Sequence, residues 1–282
     1  MSSPPIEPGP SEAGSPEQVV RREVLAPEPA EALAAMLDID LPKGAHLPAL
    51  WHWIYLLERR PQRDLGPDGH PVSGIPAPPG PGRRRMFAGG RVRTHGPLEL
   101  GREATRATWA LSTKEKDGRT GPLTFVTVRT EISQDGQVLI EDEQDIVYRA
   151  PDSTLAPAAQ GEVAAPRRGP SLTLNVDSTL LFRFSALTYN AHRIHYDHEY
   201  VRQEGYDDLV VHGPLQALMM GELLRRTGVD LVGREYAYRL VAPMIGPQLM
   251  TVTAADEHGL AAGVETRDAQ GTVTAVSTLG ER

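Results

Sequence analysis

The stretch FSALTYNAHRIHYD, Phe184–Asp197, is followed after a short gap by VVHGPL, Val210–Leu215. The first segment places two histidines, an asparagine and an aspartate within eight residues, and the second places a His-Gly-Pro step before an apolar helical pattern. Imidazole groups exchange protons near neutral pH, and a helix N-terminus favours negative charge. Together the two segments predict acid–base chemistry on a carbonyl compound.

The same residues resemble the signature of the MaoC-like R-specific enoyl-CoA hydratases and dehydratases, a hotdog-fold family whose usual core reads Asp-x-Asn-Pro-x-His. The Asn-x-His-Arg-Ile-His form of this chain is similar to the branch that holds 3-hydroxyacyl-thioester dehydratases and mesaconyl- or itaconyl-CoA hydratases. The resemblance covers Leu181 to Leu224 and continues more weakly over Gly82 to Arg149. Its matched positions are Asn190, His192, Arg193 and His195.

The resemblance implies an α+β fold of two hotdog domains, each an antiparallel sheet wrapped around a helix. It implies a hydro-lyase that reversibly hydrates an enoyl-CoA or dehydrates a 3-hydroxyacyl-CoA, with coenzyme A as part of the substrate and no separate cofactor. The branch implies a short acyl group, of the dicarboxylic mesaconyl-CoA or itaconyl-CoA type. The alternative is a non-catalytic or acyl-carrier-protein-linked dehydratase subunit.

Composition narrows the class of protein. The 282 residues carry a net charge of -8, which disfavours a general nucleic-acid surface. The absence of cysteine excludes disulfides, thiolate nucleophiles and cysteine-ligated metals. The apolar stretches are shorter than a membrane span. The N-terminus lacks the basic start and the apolar segment that are typical of a signal peptide. We therefore expect a cytoplasmic protein without nucleic-acid or membrane partners.

Two composition breaks predict the domain organisation. Residues 1–16 are rich in Pro, Ser, Gly and Glu, which predicts a disordered tail. Residues 150–170 are rich in Ala and Pro without periodicity, which predicts a linker. We expect a degenerate N-terminal hotdog domain over 17–149 and a catalytic C-terminal hotdog domain over 171–282. By analogy with a hotdog dimer, the two helices would face each other and one chain would carry one active site.

Each half places helical spacing before strand patterns. The pattern PEPAEALAAML from Glu28 predicts a short helix, and LPALWHWIYLL from Leu47 predicts core. The Pro/Gly-rich stretch Gly66 to Gly82 predicts a surface segment. Ser178 to Thr188 and the apolar face from Leu215 to Leu224 predict two further helices. The predicted strands are Arg91–Leu98, Ala104–Lys114, Leu123–Ile132, Val138–Tyr148, Leu172–Val176, Glu235–Val241, Gln248–Ala255, Leu260–Thr266 and Thr272–Leu279.

Hydration of an enoyl thioester needs an acid–base group, a partner for the water, and donors for the enolate-like oxygen. The resemblance assigns the first role to His195, the alternative being a structural histidine. Asn190 falls where most of the family has aspartate, and an amide cannot take a proton. We expect Asn190 to orient water while His195 acts as the single base; the alternative for Asn190 is a plain turn residue.

The remaining site candidates surround these two. Gly213 has no side chain, so its N–H can approach a thioester oxygen at the start of a helix, although a plain helix entry would look the same. His192 and Asp197 are each candidates for the missing second group. We favour supporting roles for both, such as orienting His195, and expect His212 to orient its loop.

Two clusters allow other interpretations. His192, His195, Asp197 and His198 are dense enough for metal ligands, but their spacing would align them only on a helix, so we expect no metal site. Arginine suits phosphate and carboxylate groups, and the alternative is a solvated, acid-paired face. The expected substrate-binding arginines are Arg85, Arg91 and Arg93. A further homodimer is also expected.

Overall fold

The structure is a computed structural model that describes residues 17–76, 78–80, 83–118, 121–149, 169–255 and 259–280. The predicted tail, 1–16, and most of the predicted linker, 150–168, lie outside these residues. The domain boundaries therefore stay a prediction.

Twelve strands and four α-helices are assigned within the described residues. The strands are β1 (Val19–Val24), β2 (His46–Leu47), β3 (Arg84–Thr94), β4 (Leu98–Glu99), β5 (Glu103–Gly118), β6 (Gly121–Gln134), β7 (Gln137–Arg149), β8 (Ser171–Val176), β9 (Glu235–Leu240), β10 (Gln248–Ala254), β11 (Val264–Arg267) and β12 (Val273–Gly280). The α-helices are α1 (Pro27–Met36), α2 (Ser178–Thr188), α3 (His198–Gln203) and α4 (Gly213–Arg226).

Ten of these strands form one antiparallel sheet in the order β1-β5-β6-β7-β3-β9-β12-β11-β10-β8. The first five belong to the N-terminal half and the last five to the C-terminal half. The halves join where β3 pairs with β9, in a register that runs from Gly89 opposite Arg239 to Arg93 opposite Glu235. The sheet is therefore continuous across the two halves, and a site at their junction can draw on both.

Local sequence explains the main elements. Pro27 stands at the start of α1, where its missing N–H costs nothing. The side chain of Asp177 caps α2 by accepting from the N–H of Leu180 at 2.7 Å. Asp135 and Gly136, at φ 50° and 78°, form the tight turn between β6 and β7. Alternating burial along β6 places one face of that strand on the core.

Helix α4 is buried along most of its length and contacts β3, β8 and β10 to β12, while α1 contacts α2. The predicted apolar face of α4 is confirmed as core, since Leu215 and Leu218 are at most 1% exposed. Three strand predictions were wrong in extent. β3 begins at Arg84 rather than Arg91, and β5 continues to Gly118 rather than ending at Lys114. β11 is shortened because Gly259–Ala261 form a 3₁₀ turn. No described helix has the length and hydropathy of a membrane span.

Candidate active site

A cavity of about 1090 Å³ is lined by residues of both halves of the chain. The C-terminal half contributes residues from the end of α2, from the loop that follows it and from the start of α4. The N-terminal half contributes residues from the segments around 52, 70 and 85. Of the predicted site residues, the cavity lining includes Asn190, His192, His195, Gly213 and Arg85.

His195 lies in the 3₁₀ turn Arg193–His195 and is 7% exposed. Its Nδ1 lies 2.7 Å from the carbonyl oxygen of Val210. Because a carbonyl can only accept, Nδ1 carries the proton, and Nε2 is the basic nitrogen. Burial lowers the pKa of His195 to about 4, although the bond to Val210 opposes this shift. The ring is therefore neutral near pH 7 and can accept a proton at Nε2.

The His212 ring stacks against one face of the His195 ring. The two ring centroids are 3.6 Å apart, with the planes 20° from parallel. His212 Nε2 lies 2.8 Å from Ser185 Oγ, and the edge of His212 meets Phe184 at 4.9 Å between centroids. Burial lowers the pKa of His212 well below its usual value, so this ring is also neutral. His212 thus contacts His195 directly instead of only shaping its loop.

Asn190 follows the end of α2, where Tyr189 adopts φ 52°. The side-chain oxygen of Asn190 accepts from the backbone N–H of His192 at 3.0 Å. The backbone N–H of Asn190 donates to the carbonyl of Ser185 at 2.8 Å. This is the local turn geometry that asparagine favours. The oxygen is engaged in the turn, while the amide nitrogen remains a donor beside the cavity.

Gly213 is the first residue of α4, so its N–H has no acceptor within the helix. A Cβ added here would lie 2.3 Å from Leu240 Cδ1 and 2.9 Å from Phe87 Cδ1. A side chain at this position would have to displace Leu240 and Phe87, whereas glycine packs without rearrangement and leaves the backbone N–H accessible. The helix dipole adds positive potential at this end of the cavity.

Asp197 does not line the cavity. Its Oδ1 accepts from the backbone N–H groups of Glu199 and Tyr200, which begin α3, and its Oδ2 pairs with Arg193 at 2.7 Å. We therefore assign Asp197 to the helix cap and withdraw it as the second acid–base group. His198, one of the four candidate metal ligands, pairs instead with Asp208, at 3.0 Å between Nδ1 and Oδ1.

Arg91 and Arg93, two of the expected substrate-binding arginines, pair with acidic residues outside the cavity. Arg93 pairs with Glu235 at 2.6 Å and with Glu141, and Arg91 pairs with Glu143 and Asp145. Neither arginine lines the cavity, because both occupy acid-paired rows of the sheet.

Arg85 differs from these two. It lines the cavity and forms no hydrogen bond or ion pair with any side chain that the structure describes. It is therefore the remaining candidate among the three expected substrate-binding arginines.

The block from Leu47 was expected to be core, which holds for only part of it. Trp51 is fully buried and donates to Glu222 at 2.9 Å. His52, Trp53 and Tyr55, by contrast, line the cavity. Their neighbour Asp142, which is 2% exposed, accepts from Trp53 Nε1 at 2.7 Å. This end of the cavity is consequently aromatic and polar.

The expectation of a surface segment over Gly66 to Gly82 was partly wrong, because Gly69, His70 and Pro71 line the cavity. The His70 ring lies 4.0 Å from the His192 ring, and His70 Nδ1 lies 3.1 Å from Asp68 Oδ2. Sequence reasoning missed this pair. Its signal was the Asp-Gly-His triplet at 68–70, in which a carboxylate and an imidazole stand two residues apart.

Donor atoms of Asp68, His70 and His192 lie within 4.8 Å of one another, which is a spacing that could hold a metal ion. The charge of Arg85 disfavours a cation here. After burial, which is the largest cause, the positive charge of Arg85 contributes to lowering the pKa of both His70 and His192, and all three residues line the cavity. The cluster suits a water molecule or an anion better than a metal.

Comparison with known proteins identifies the family. The family model for hydroxyacyl-thioester dehydratase type 2 matches residues 50–246, which include both the segment around His70 and the loop 190–197. The chain belongs to this family. It is an enzyme of the hydratase and dehydratase class, and the predicted MaoC-like resemblance is confirmed.

Two curated relatives align with most of the chain. A mesaconyl-C(4)-CoA hydratase of Chloroflexus aurantiacus is 47% identical over 222 residues, which are 76% of this chain and 79% of the relative. A mitochondrial hydroxyacyl-thioester dehydratase type 2 of Schizosaccharomyces pombe is 27% identical over 276 residues, which are 86% of this chain and 92% of the relative.

Solved structures confirm the fold. A MaoC-like dehydratase superposes with a TM-score of 0.68 at 14% identity, covering 96% of this chain and 98% of that one. HtdX of Mycobacterium tuberculosis gives 0.65 at 16% identity, covering 93% and 99%. A second Mycobacterium tuberculosis protein, described as a double hotdog fold, gives 0.53 at 13% identity, covering 95% and 96%. The predicted double hotdog fold is therefore confirmed.

Proposed function

We propose that the protein reversibly hydrates a short enoyl-CoA that carries a second carboxylate, with mesaconyl-C(4)-CoA as the model substrate. The proposal is carried by the position and tautomer of His195. Its Nδ1 proton is committed to Val210, and Nε2 forms no hydrogen bond with the described residues, beside a cavity that also receives Asn190 and Gly213. The relative with 47% identity supports the choice of substrate.

The reaction follows from these positions. His195 Nε2 takes a proton from water as the water oxygen bonds to the β carbon. The electron pair of the double bond moves to the α carbon and the thioester oxygen, where the Gly213 N–H and the α4 N-terminus stabilise the charge. His195 then returns its proton to the α carbon. Asn190 donates from its amide nitrogen to the water oxygen and fixes its approach.

Arg85 is the proposed partner of the substrate carboxylate. In mesaconyl-C(4)-CoA the thioester is at C4, so the β carbon itself bears the free carboxylate. A guanidinium for this group must therefore lie beside the reacting carbon. Arg85 is a candidate because it lines the same cavity as His192 and His195, whose ring centroids are 5.5 Å apart. A bidentate contact would orient the double bond as well as select the charge.

The N-terminal half of the cavity supports a short acyl group. A long aliphatic tail would have to pass His52, Trp53 and Asp142, and Asp142 is a buried carboxylate held by donors. Placing methylene groups against such polar atoms forfeits their hydrogen bonding without compensation. Aromatic side chains packed at this density also resist displacement.

The test is the hydration of a panel of substrates, which is monitored as the loss of enoyl-thioester absorbance. The panel contains mesaconyl-C(4)-, itaconyl-, crotonyl- and a long-chain enoyl-CoA, together with crotonyl-acyl-carrier protein. We expect the highest kcat/KM for a dicarboxylic substrate and the lowest for the long chain. A preference for the long chain or for the carrier protein would reject the short dicarboxylic CoA assignment. The absence of hydration on every substrate would reject the activity.

We propose further that the enzyme is a cytoplasmic homodimer that needs no added cofactor or metal. The acid–base groups named above complete the reaction without one, and the net charge of -8 suits a protein without nucleic-acid partners. Light scattering of the purified protein and activity after dialysis against a chelator test these two points.

A further inference from the structure

Residues 67–70 of the N-terminal half contact the loop 190–197 of the C-terminal half. The backbone N–H of Arg193 donates to the carbonyl of Asp68 at 2.9 Å, and its side chain donates to the carbonyl of Pro67 at 3.0 Å. A Cβ on Gly69, which has φ +88°, would lie 1.9 Å from the carbonyl oxygen of Ala191. Only glycine allows this approach, so the contact places His70 beside the catalytic histidine cluster.

Asp68 fixes the protonation of His70. The carboxylate accepts from His70 Nδ1 at 3.1 Å and from the backbone N–H of His70 at 3.0 Å. Because an ionised carboxylate can only accept hydrogen bonds, the Nδ1 atom carries the proton and Nε2 carries the lone pair. An imidazole held in one tautomer by a carboxylate is the arrangement that catalytic dyads use to present a basic nitrogen.

The attacking water needs acceptors for both of its hydrogens. His195 Nε2 accepts one of them. The side-chain oxygen of Asn190 is turned to the His192 N–H, and Arg85 can only donate. His70 lines the same cavity, and none of the described residues forms a hydrogen bond with its Nε2. His192 lines the cavity as well, but of these two imidazoles only His70 has a carboxylate partner that fixes its proton on Nδ1, which makes His70 Nε2 the better-defined acceptor.

We propose that His70, held by Asp68, is a further catalytic residue whose Nε2 accepts a hydrogen bond from the attacking water. In the hydration direction one O–H of the water breaks and its proton goes to His195 Nε2, while the other O–H stays intact and points to His70. In the reverse direction His70 accepts from the β-hydroxyl group before it leaves. This inference rests on the hydration activity proposed above but not on the dicarboxylate.

The experiment uses crotonyl-CoA, which has no carboxylate for Arg85. His70→Ala should lower kcat roughly a hundredfold, on the scale of losing one positioned catalytic group, with KM changed much less. His70→Gln keeps an acceptor oxygen and should recover part of the loss. His198→Asn is the matched control, because His198 is an exposed histidine that pairs with Asp208 outside the cavity, and its kcat should equal that of the wild type.

A second readout separates the proposed role from a structural one. We expect the wild type to exchange the α hydrogen of 3-hydroxybutyryl-CoA in D₂O, because His195 can return a solvent-derived deuteron to the α carbon before the hydroxyl group leaves. His70→Ala should keep this exchange while dehydration falls, whereas a disordered site would lose both. An unchanged kcat in His70→Ala, loss of exchange and dehydration together, or the same kinetic pattern in His192→Asn in place of His70→Ala would overturn the proposal. Failure of the wild type on every enoyl-CoA would instead remove the proposed function.

Discussion

The imidazole rings of His195 and His212 stack with their centroids 3.6 Å apart, although the residues are separated by the whole of α3 and the loop after it. His212 is the N-cap residue of α4 and is anchored through Ser185 of α2. The stack therefore links His195 to both α2 and α4, which contribute residues to the cavity lining. Two neutral rings can pack this closely because burial keeps both pKa values low.

Ser185→Ala tests this anchor. The substitution leaves Nε2 of His212 without its partner in a buried site, which costs about 1–3 kcal/mol of unfolding free energy. A loosened His212 should also lower kcat while KM changes little. Chemical denaturation and steady-state kinetics measure both effects. Ser178→Ala, on the exposed start of the same helix, is the control. Equal behaviour of the two variants would show that the anchor does not matter.

Arg85→Gln tests the carboxylate site. The variant should raise KM for mesaconyl-C(4)-CoA by roughly tenfold to a hundredfold, the scale of a lost charge-assisted hydrogen bond of about 1.5–3 kcal/mol. KM for crotonyl-CoA should change little. Arg93→Gln is the matched control, since Arg93 lies in the same strand but pairs with acids outside the cavity. Equal effects on both substrates would remove Arg85 from carboxylate recognition.

Substitutions of Asn190 can separate the role of its side-chain oxygen, which accepts from the His192 N–H, from the role of its amide nitrogen as a donor. Asn190→Asp keeps an oxygen for the His192 N–H and should fold normally, but it replaces the amide donor with an acceptor. Asn190→Ala loses both groups and should be the more severe change in kcat and in stability. Thermal melting and kinetics on crotonyl-CoA distinguish the two. Full activity in Asn190→Ala would rule out a role in orienting water.

Stability should depend on pH through four histidines, of which His192, His195 and His212 are buried and His70 is partly exposed. Burial lowers the pKa of His70, His192, His195 and His212 below the value of about 6.5 for an exposed histidine. Below that pH the unfolded chain binds more protons than the folded chain, so the unfolding free energy falls as pH falls. We expect Tm to drop between pH 7 and pH 5 and to drop less steeply in His192→Asn. A flat Tm across this range would contradict the assignment of buried neutral rings.

Periodicity and turn residues predicted most elements because they act locally. The Asn-x-His-Arg-Ile-His segment and the His-Gly-Pro step likewise indicated residues that the fold brings to one cavity. The arginine assignment was less successful, because alternation along β3 does not reveal which acids stand opposite Arg91 and Arg93 in neighbouring strands. Such pairing depends on register across the sheet, which a single strand does not contain.

The Asp68–His70 pair could not be placed from the sequence for a related reason. It lies in a Pro/Gly-rich segment whose composition is typical of surface loops. What moves it into the cavity is a long-range docking contact, where Gly69 meets the backbone of Ala191. The same holds for His52 and Trp53, whose neighbours come from β7.

The central claim is that His195 is the base of a hydration reaction. The most direct measurement is the rate at which enoyl absorbance disappears when mesaconyl-C(4)-CoA is mixed with wild-type protein and, separately, with a folded His195→Ala variant. The account predicts hydration by the wild type and a loss of at least about a hundredfold in turnover for the variant, with Tm little changed. Turnover in His195→Ala equal to that of the wild type would contradict it.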